Sequence, residues 1–406
     1  MNGMTVVGAK PSIAILCPNF EPESNAAARR ITDLANALEA SGWSVEVITQ
    51  APHHPQNRLF DGFGHRYCTI DRSGGRTVVR YRPWIVPKGN FVLRFASELL
   101  FAVQAAGRAA ARRPDLILAS SPYMFLGPLG LLAARMARVR FAWDVRDLTW
   151  LYLAATGRRT FGIDRLIDRL MRFTARRADA LTTATHGLLT YFEDRPRRAD
   201  VITNGLSADF LERLRSAPKP RPPGALPLVV YAGLLGYPQG LSVLLDVAEH
   251  LPRASFALVG DGPDRSSLID EAKRRGLTNV TFPGFVAGAA LDEWYRAADV
   301  LVAHLRNDPA FAVAQPSKLW EYMAAGRPVV YGGQGEVVTI LTQEAIGLTV
   351  PPESAAAMAE AIGQLLDDPA AAAKLGARGR SFVERNRNRD TLLARWQNLL
   401  SATIQG

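Results

Sequence analysis

Residues 226–251 read LPLVVYAGLLGYPQGLSVLLDVAEHL, and the pattern of this stretch changes twice. The first part, LPLVVYAG, is a short and continuous apolar run, which is typical of a strand buried on both faces. Gly233, Gly236 and Gly240 follow it, and a segment with helical periodicity begins near Leu241. A strand, a tight turn and a helix in this order are the repeating unit of a parallel α/β sheet.

Apolar runs and helical segments alternate along the rest of the chain. The candidate strands upstream are PSIAILCP, WSVEVITQ, DLILAS, VRFAWDV, ADALTTAT and ADVITN. The candidate strands downstream are ASFALVG, NVTFPG, DVLVAHL and RPVVYGG. Strands joined by helices build parallel sheets that are covered on both faces, so we expect an α/β protein. The two series predict two doubly wound, Rossmann-like domains that face each other across a cleft.

The two series are separated by a proline-rich stretch, SAPKPRPPGAL, at residues 216–226. Proline cannot continue a helix or pair within a central strand, so this stretch predicts a stiff linker. The expected domains are residues 1–215 and residues 227–387. A last helix within residues 388–406 carries leucine and tryptophan side chains on one side, and we expect it to pack back on the first domain.

Composition excludes several classes of protein. The chain has 406 residues, of which 48% are apolar and 21% are charged, and this mixture is typical of a folded globular protein rather than a disordered or fibrous one. Two cysteines cannot form a disulfide framework or a zinc-finger set, which favours a reducing, cytoplasmic compartment. Neither a signal-peptide pattern nor an apolar run of roughly 18 residues is found, so we expect no membrane span.

Positive charge is concentrated in the first half of the chain. Residues 1–225 contain 32 Lys and Arg against 19 Asp and Glu, a net charge of +13, whereas residues 226–406 contain 16 against 19, a net charge of −3. A basic face attracts nucleic acid, anionic lipid or phosphorylated substrates. No nucleic-acid reader motif accompanies the charge, so we expect no nucleic-acid partner. Residues 94–113 and 158–177 alternate arginine with large apolar residues, which fits a peripheral inner-membrane surface; a solvated arginine-rich surface fits equally well.

Residues 315–330, QPSKLWEYMAAGRPVV, form the most specific segment. Lys318 and Glu321 are three positions apart on a predicted helix and therefore share one face. An ammonium group suits a phosphate, and a carboxylate can accept hydrogen bonds from two sugar hydroxyls. The alternative interpretation is an ordinary ion pair on the protein surface. The apolar residues around the pair argue against this alternative, because they indicate that most of the helix is buried.

This segment, together with YAGLLGYPQG, VGDGPDRSSL, VTFPGFV and ADVLVAHL, resembles the donor domain of GT-B glycosyltransferases. The similarity is to glycosyltransferase family 4, in its bacterial surface-polysaccharide, fucosamine-type branch. Four segments of the first half also resemble this family: CPNFEPESNAAARRITDLANALEASGWSVEVIT, FAWDVRDLTW, ADALTTATHGLLTYF and VITNGL. The resemblance implies retaining transfer of a sugar from a nucleotide-sugar, with UDP-sugars favoured. The implied acceptor is a saccharide or a lipid-linked saccharide.

The resemblance also assigns donor contacts. Glu321 matches a ribose ligand of the family, whereas the family's first glutamate would fall at Val313. The family's arginine and lysine fall at Leu234 and Gln239, so Lys318 is the remaining cation that could offset the diphosphate charge. The donor-binding residues implied in this way are Gly233, Gly236, Gln239, Gly260, Asp261, Phe285, Val286, Ser317, Lys318 and Glu321.

On the acceptor side, Arg146 and Asp147 stand where the family often has a His-Asp pair. With Lys318, they are the implied catalytic residues; the alternative for Arg146 is an internal pair with Asp144. The loop at residues 18–29 resembles the family's acceptor loop, and the residues implied there are Glu21, Asn25 and Arg29. No Asp-x-Asp motif occurs, so we expect neither an essential metal nor a cofactor.

Two other functions remain open for the same fold. A sugar-nucleotide epimerase would bind the same donor but would transfer nothing to an acceptor. A non-catalytic relative is the second alternative, because the missing cations and the missing first glutamate could mark lost chemistry. Detection of a product that carries the transferred sugar separates both alternatives from a transferase.

Overall fold

The computed structural model describes residues 10–23, 25–54, 57–73, 75–86, 91–148, 162–216, 222–312 and 315–405. By packing, the chain forms two units: Met1–Asn204 with Leu392–Gly406, and Gly205–Thr391. Each unit contains a mainly parallel sheet with helices between its strands. The predicted α/β class, with a doubly wound sheet in each half of the chain, is confirmed.

The sheet of the first unit has the order β3-β4-β2-β1-β5-β6-β7-β8 within the described residues. Its strands are β1 Ser12–Leu16, β2 Ser44–Gln50, β3 Cys68–Ser73, β4 Arg76–Tyr81, β5 Leu116–Ser120, β6 Arg140–Val145, β7 Ala180–Thr183 and β8 Arg198–Val201. Only the β3–β4 pairing is antiparallel among the strand pairs described in this sheet. The apolar runs quoted above lie in the central strands, because those strands are buried on both faces.

Helices cover the two faces of this sheet. They are α1 Ala26–Ala40, α2 Phe91–Arg112, α3 Leu126–Ala137, α4 Ile163–Arg177 and α5 His186–Tyr191. Parallel crossover connections are right-handed, so α1, which runs from β1 to β2, lies on one face. The connections through α2, α3 and α4 run in the opposite direction across the sheet and therefore place these three helices on the other face.

The second unit has a six-stranded parallel sheet of order β11-β10-β9-β12-β13-β14 among the described residues. Its strands are β9 Leu228–Ala232, β10 Ser255–Val259, β11 Val280–Gly284, β12 Val300–His304, β13 Val329–Gly332 and β14 Leu348–Val350. Its helices are α6 Ala208–Arg213, α7 Ser242–His250, α8 Arg265–Arg274, α9 Ala289–Ala297, α10 Ser317–Ala324, α11 Glu336–Gln343, α12 Ala355–Asp367 and α13 Pro369–Asn386. Short 3₁₀ turns occur at Tyr237–Gln239 and Pro309–Phe311.

The division between the units falls earlier than the proline-rich stretch. Leu206, Leu211 and Leu214 are buried in the core of the second unit, so packing assigns the chain from Gly205 onward to that unit. Within the predicted linker, residues 217–221 lie outside the described residues.

The last helix, α14 Arg389–Gln405, belongs to the first unit from Leu392 onward. Trp396 and Leu400 are buried in the same core as the apolar side chains of α1. The Gln397 side-chain amide donates to Ala37 O at 2.6 Å, which fixes the helix against the end of α1. Within the described part of the chain, no helix is both long and apolar enough to cross a membrane.

Candidate active site

Helix α10 is anchored beside the glycine turn that follows β9. The Tyr322 hydroxyl accepts from Ala232 N and donates to Ala232 O, both at 2.8 Å, and its ring is fully buried. Leu319 and Trp320 on the same helix are buried as well, and Trp320 stacks on Phe382. The backbone of α10 therefore has one fixed position relative to the carboxyl end of β9, where ligands bind in parallel α/β sheets.

Lys318, in the first turn of α10, reaches the glycine turn itself. Its ammonium group donates to the Tyr231 hydroxyl and lies 4.1 Å from the centroid of the Tyr231 ring. A Cβ atom placed on Gly233 would lie only 2.6 Å from Lys318 Nζ, so the amine occupies the space that the glycine leaves. The Tyr231 hydroxyl in turn donates to Leu234 O at 2.6 Å.

Burial lowers the pKa of Lys318 to about 7, because the charged amine has lost much of its hydration; the negative charge of Glu321 opposes this shift. Among the described residues, no carboxylate lies within ion-pair distance of the amine. A partly desolvated ammonium group is suited to receive an anion.

Glu321 lies one turn further along α10. Its Oε2 accepts from the Tyr295 hydroxyl at 2.9 Å. Burial raises the pKa of Tyr295 well above its ordinary value, so this hydroxyl stays protonated and continues to donate. The Tyr295 ring also packs edge-on against Tyr322, with centroids 5.4 Å apart. The carboxylate of Glu321 is thus oriented by a side chain that is itself fixed in the core.

The turns after β9 and β10 contact each other backbone to backbone. A Cβ atom on Gly260, whose φ is +141°, would lie 1.9 Å from Gly233 O. A Cβ atom on Gly262 would lie 2.3 Å from Leu235 O. Packing alone therefore requires glycine at these positions. Asp261 between them is exposed, and its carboxylate accepts from Gly262 N at 2.9 Å.

Gly236 precedes the 3₁₀ turn that leads into α7, and Gln239 is the last residue of that turn. The Gln239 carbonyl accepts a hydrogen bond from His304, at 2.7 Å from Nδ1. The side-chain oxygen Oε1 of Gln239 is buried and has no hydrogen-bond partner among the described residues. Buried polar atoms without a partner are costly, so this oxygen is a candidate acceptor for a ligand hydroxyl.

His304, which no sequence motif indicated, is buried at the end of β12. Its Nε2 accepts from the backbone N–H of Glu353 at 2.8 Å. A backbone N–H can only donate, so Nε2 carries no proton and Nδ1 carries the one donated to Gln239 O. Burial lowers the pKa of His304, which favours this neutral form. The imidazole ties the turn after β9 to the loop that precedes α12.

The remaining predicted donor residues differ in exposure. Phe285 follows β11 and is 78% exposed, whereas Val286 packs against the core of the unit. Ser317 is the first residue of α10, and its hydroxyl forms no hydrogen bond within the described chain. Val313, where the family's first glutamate would fall, lies outside the described residues.

In the first unit, Asp144 is the centre of a buried polar network at the carboxyl ends of the strands. It has no exposed surface, and it accepts from Ser120 Oγ and Thr182 Oγ1, each at 2.8 Å. Arg30 Nη2 lies 3.0 Å from Asp144 Oδ2 and 2.9 Å from Ser120 Oγ. From the sequence, Asp144 was expected only as an alternative partner for Arg146.

Arg146 belongs to this network. Its guanidinium donates to Asn204 Oδ1 at 2.6 Å and to Ile202 O at 2.5 Å, and Nη1 lies 3.6 Å from Asp144 Oδ1. The internal Arg146–Asp144 pair that the sequence analysis gave as the alternative is present. Burial, with the like charge of Arg30, lowers the pKa of Arg146 to about 9. Asp147 is the next residue and is partly buried.

The three residues of the predicted acceptor loop have different surroundings in the structure. Asn25 caps α1, because its Oδ1 accepts from Ala28 N at 2.8 Å. Glu21 pairs with Arg76 at 2.8 Å, whereas Arg29 is exposed.

Sequence reasoning missed Glu23, a buried carboxylate in the same loop. Its Oε1 accepts from the backbone N–H groups of His53 and His54 at 2.8 and 2.9 Å, and its Oε2 accepts from Asn19 Nδ2 at 2.6 Å. Glu23 thereby ties the acceptor loop to the loop after β2. The adjacent pair of histidines was a signal that could have directed attention to this region.

The described residues contain no group of three or more His, Cys, Asp or Glu side chains arranged to hold a metal ion. The candidate donor site is therefore built from an amine, a carboxylate, tyrosine hydroxyls and glycine backbone. These groups can bind an anion and sugar hydroxyls.

Two family models match adjacent parts of the chain. One is described as a glycosyl transferase 4-like domain and matches residues 25–205. The other is described as glycosyl transferases group 1 and matches residues 226–368. Together the two models match most of the chain, and each matches mainly one of the two units.

Individual proteins are similar over nearly the full length. A protein described as a colanic acid biosynthesis glycosyl transferase, WcaI of Escherichia coli K12, is 26% identical, with 94% of this chain and 97% of the relative covered. Sucrose-phosphate synthase from Thermosynechococcus elongatus has a similar structure, with a TM-score of 0.72, 20% identity, and coverage of 97% and 99% of the two chains. HepE from Anabaena, in complex with UDP and glucose, gives a TM-score of 0.68 at 18% identity, with 96% and 99% covered. The structural likenesses establish the fold.

Proposed function

We propose, on the premise that the chain belongs to the glycosyltransferase 4-like, group 1 family of GT-B glycosyltransferases, that it uses a nucleotide-sugar donor, with UDP-sugars preferred. The proposed acceptor is a saccharide or a lipid-linked saccharide, and the proposed outcome is transfer with retention of the anomeric configuration. The proposed setting is bacterial surface-polysaccharide biosynthesis in the cytoplasm. Within the family, we assign the chain to the fucosamine-type branch. A complex of HepE with UDP and glucose supports the choice of donor, and the description of WcaI supports the polysaccharide setting.

The observation that carries the proposal is the position of the Lys318 amine in the space left by Gly233. A diphosphate bound at this turn would receive backbone N–H groups from the turn and the ammonium group from α10. The apo protein keeps this amine partly desolvated, which is unfavourable until an anion arrives. Lys318 therefore takes the place of the cations that Leu234 and Gln239 replace.

The rest of the donor fits around this point. Glu321, oriented by Tyr295, would accept hydrogen bonds from the two ribose hydroxyls. The exposed ring of Phe285 would pack on the base, with Val286 fixing the strand end beneath it. Gln239 Oε1, which has no partner among the described residues, would accept from a hydroxyl of the transferred sugar. Gly236, Gly260, Asp261 and Ser317 complete the proposed donor contacts.

The proposed reaction needs no covalent enzyme nucleophile. Negative charge grows on the diphosphate as it departs, and the fixed positive groups around Gly233 would stabilise that charge. In the first unit, Asp147 would accept a hydrogen bond from a sugar hydroxyl. Arg146, bound within the Asp144 network, would act mainly by holding the strand end in place. The acceptor is proposed to contact Glu21, Asn25 and Arg29, and the mechanism requires no essential metal or cofactor.

Donor binding can be measured by thermal shift against a panel of UDP-, GDP- and dTDP-sugars. A donor at 100 times its Kd raises the free energy of unfolding by roughly 2.7 kcal/mol, so the correct donor should stand out from the panel. The same samples should be repeated with Lys318→Ala and Glu321→Ala. Absence of a shift with every nucleotide-sugar would contradict the proposal.

The product then separates transfer from the other functions of the same fold. A product carrying the donor's sugar on an added saccharide supports the transferase. Conversion of the donor sugar to its isomer, with no transfer, would indicate an epimerase, and binding without any turnover would indicate a non-catalytic relative.

A further inference from the structure

Exposed apolar side chains of the first unit are concentrated on the face of its sheet covered by α2, α3 and α4. Helix α2 contacts α3, and α3 contacts α4, so the three helices form a continuous layer. The large apolar side chains exposed on this layer are Val92, Leu99, Leu100, Val103, Leu132, Met136, Leu166, Leu170 and Phe173. Apolar groups scattered singly over a surface are ordinary, but nine exposed apolar side chains on three helices that pack side by side indicate an interaction surface.

Helix α4 has the clearest pattern. Leu166, Leu170 and Phe173 are spaced at i, i+4 and i+7 and therefore share one face, and Leu166 is 67% exposed. Met171 and Ala175 are buried on the opposite face, against the rest of the unit. The helix is thus apolar on two sides, whereas a surface helix of a protein with no partner has one apolar stripe.

Arginines surround this exposed stripe. Helix α4 contains five arginines and two aspartates; the arginines are Arg165, Arg169, Arg172, Arg176 and Arg177. Asp168 pairs with Arg172 at 3.0 Å. Within the described residues, Arg165, Arg169 and Arg177 form no ion pair. The guanidinium carbons of Arg176 and Arg177 lie 6.0 and 5.5 Å from the centroid of the Phe173 ring.

The other two helices extend the same chemistry. Leu99, Leu100 and Val103 form an exposed apolar stripe on α2. Met136 is exposed near the end of α3, close in sequence to Arg135 and Arg138. The half of the chain that contains this layer has a net charge of +13, whereas the other half has a net charge of −3, so the layer combines apolar area with an excess of positive charge.

We propose that the layer formed by α2, α3 and α4 binds the surface of an anionic lipid bilayer. The apolar side chains would enter the boundary between headgroups and acyl chains, and the arginines would contact lipid phosphates. Charge complementarity favours this partner, because the free charges of the stripe are guanidinium groups and phosphates are their preferred bidentate ligands. Lipids also adapt to apolar side chains spread over three helices, whereas a protein partner needs a matching fixed surface.

The test measures co-sedimentation of the full chain with vesicles, in the absence of donor and acceptor. Vesicles of phosphatidylglycerol and phosphatidylethanolamine are compared with vesicles of phosphatidylcholine alone. The wild type is expected to bind the anionic vesicles at least about tenfold more strongly, and binding should weaken several-fold when NaCl is raised from 0.05 to about 0.5 M. Because no nucleotide-sugar is used, the outcome is independent of the proposed donor site.

Variants locate the surface. Leu166→Glu and Leu170→Glu should each lower the partition coefficient on anionic vesicles about tenfold or more, and Arg165→Glu with Arg169→Glu should do the same. Leu226→Glu is the matched control: Leu226 is 44% exposed and belongs to the second unit rather than to the three-helix layer, and its replacement should leave binding unchanged. Thermal unfolding of each variant shows whether it is folded.

Two results would overturn the proposal. One is equal binding of wild type and folded Leu166→Glu to anionic vesicles. The other is a wild type that stays in the supernatant with both kinds of vesicle but forms dimers that Leu166→Glu disrupts in analytical ultracentrifugation, since the layer would then be an interface between copies of the chain.

Discussion

Each unit contains a buried or half-buried site with positively charged side chains. The two sites differ in whether a carboxylate compensates that charge. In the first unit, Arg30 and Arg146 surround the fully buried Asp144, and hydroxyls and backbone carbonyls accept from them. In the second unit, Lys318 contacts only the Tyr231 hydroxyl and ring, with no carboxylate in ion-pair distance among the described residues. A cation whose charge is already compensated contributes to structure, whereas one that lacks compensation is available for a ligand.

Burial lowers the pKa of the cation in both sites, but the two resulting pKa values lie differently relative to neutral pH. Desolvation lowers the pKa of Arg146 to about 9 and that of Lys318 to about 7. At neutral pH, Arg146 is therefore charged, whereas Lys318 is close to half protonated. Binding of a diphosphate would restore the charge of Lys318, so only the second site responds strongly to its ligand.

The largest expected effect is loss of stability from Asp144→Ala. The change leaves two buried guanidinium groups without their carboxylate, and removal of one partner of a buried pair costs about 3–5 kcal/mol. Urea unfolding followed by circular dichroism measures this loss. Asp194→Ala, at an ion pair with Arg176 in which both side chains are more than half exposed, is the control and should cost less than about 1 kcal/mol. Equal losses in the two variants would show that the Asp144 network is not a structural centre.

The next effect concerns donor binding by Glu321→Ala. A hydrogen bond to a charged group contributes about 1.5–3 kcal/mol, so donor affinity should fall roughly tenfold to a hundredfold while the fold is retained. Isothermal titration with the donor identified by thermal shift gives the value. Glu344→Ala, at an exposed position after α11, is the control. An unchanged donor affinity removes Glu321 from the ribose role.

For Lys318→Ala, kcat should fall at least about tenfold, or ~1.4 kcal/mol of barrier, with a smaller change in donor affinity. The reason is that negative charge on the diphosphate is greatest in the transition state. Lys318→Arg should recover part of the rate, because the guanidinium keeps the charge but directs it differently. Steady-state kinetics at saturating acceptor measure both variants, with exposed Lys374→Ala as control. A kcat for Lys318→Ala close to that of the wild type would refute the role.

The pH dependence should identify the same group. Lys318 has a pKa of about 7 in the free protein, so its charged form is complete well below pH 7 and is lost as pH rises. We expect kcat/KM for the donor to decline above pH 7, by up to about tenfold per pH unit. Bound diphosphate raises the pKa, so the decline in kcat should occur at higher pH. Lys318→Arg should abolish the decline, and its persistence in that variant would assign it to another group.

The last prediction concerns stability without donor. Because the folded state lowers the pKa of Lys318, the unfolded chain binds more protons between pH 7 and the ordinary lysine range near 10.5, and stability rises with pH across that window. Lys318→Met removes the desolvated amine, so its Tm at pH 6 should equal or exceed that of the wild type. A clear loss of Tm would mean that the contact with Tyr231 outweighs the cost of desolvation.

The sequence predicted the sheets well where strands are buried on both faces, since such strands are continuous apolar runs. It missed β3, β4 and β14, which are at or near sheet edges. The segment CTIDRSGGRTVVRY, which forms β3 and β4, mixes polar and apolar residues, and its Gly-Gly pair was the available turn signal. Edge strands need less apolar surface, so periodicity alone identifies them poorly.

For the candidate site, motif spacing predicted that Lys318 and Glu321 share a face, because three residues on a helix fix that geometry. The partners Tyr231, Tyr295 and His304 were not predicted, since contacts between residues far apart in sequence leave no local pattern. Arg30 and Thr182 were missed for the same reason, although both contact Asp144. Gly260 was predicted as a donor contact. In the structure, packing against Gly233 O already requires glycine at this position, whether or not a ligand binds there.

The position of α14 in the core of the first unit has a consequence for synthesis on the ribosome. Trp396 and Leu400 complete a core that begins with β1 and α1, yet the whole second unit is translated between them. At about 5–20 residues per second, the apolar surface that Trp396 covers stays open for on the order of ten seconds or longer. The unit that is made first is therefore the one completed last, and during that interval it offers chaperones, or other nascent chains, an unfilled hydrophobic groove.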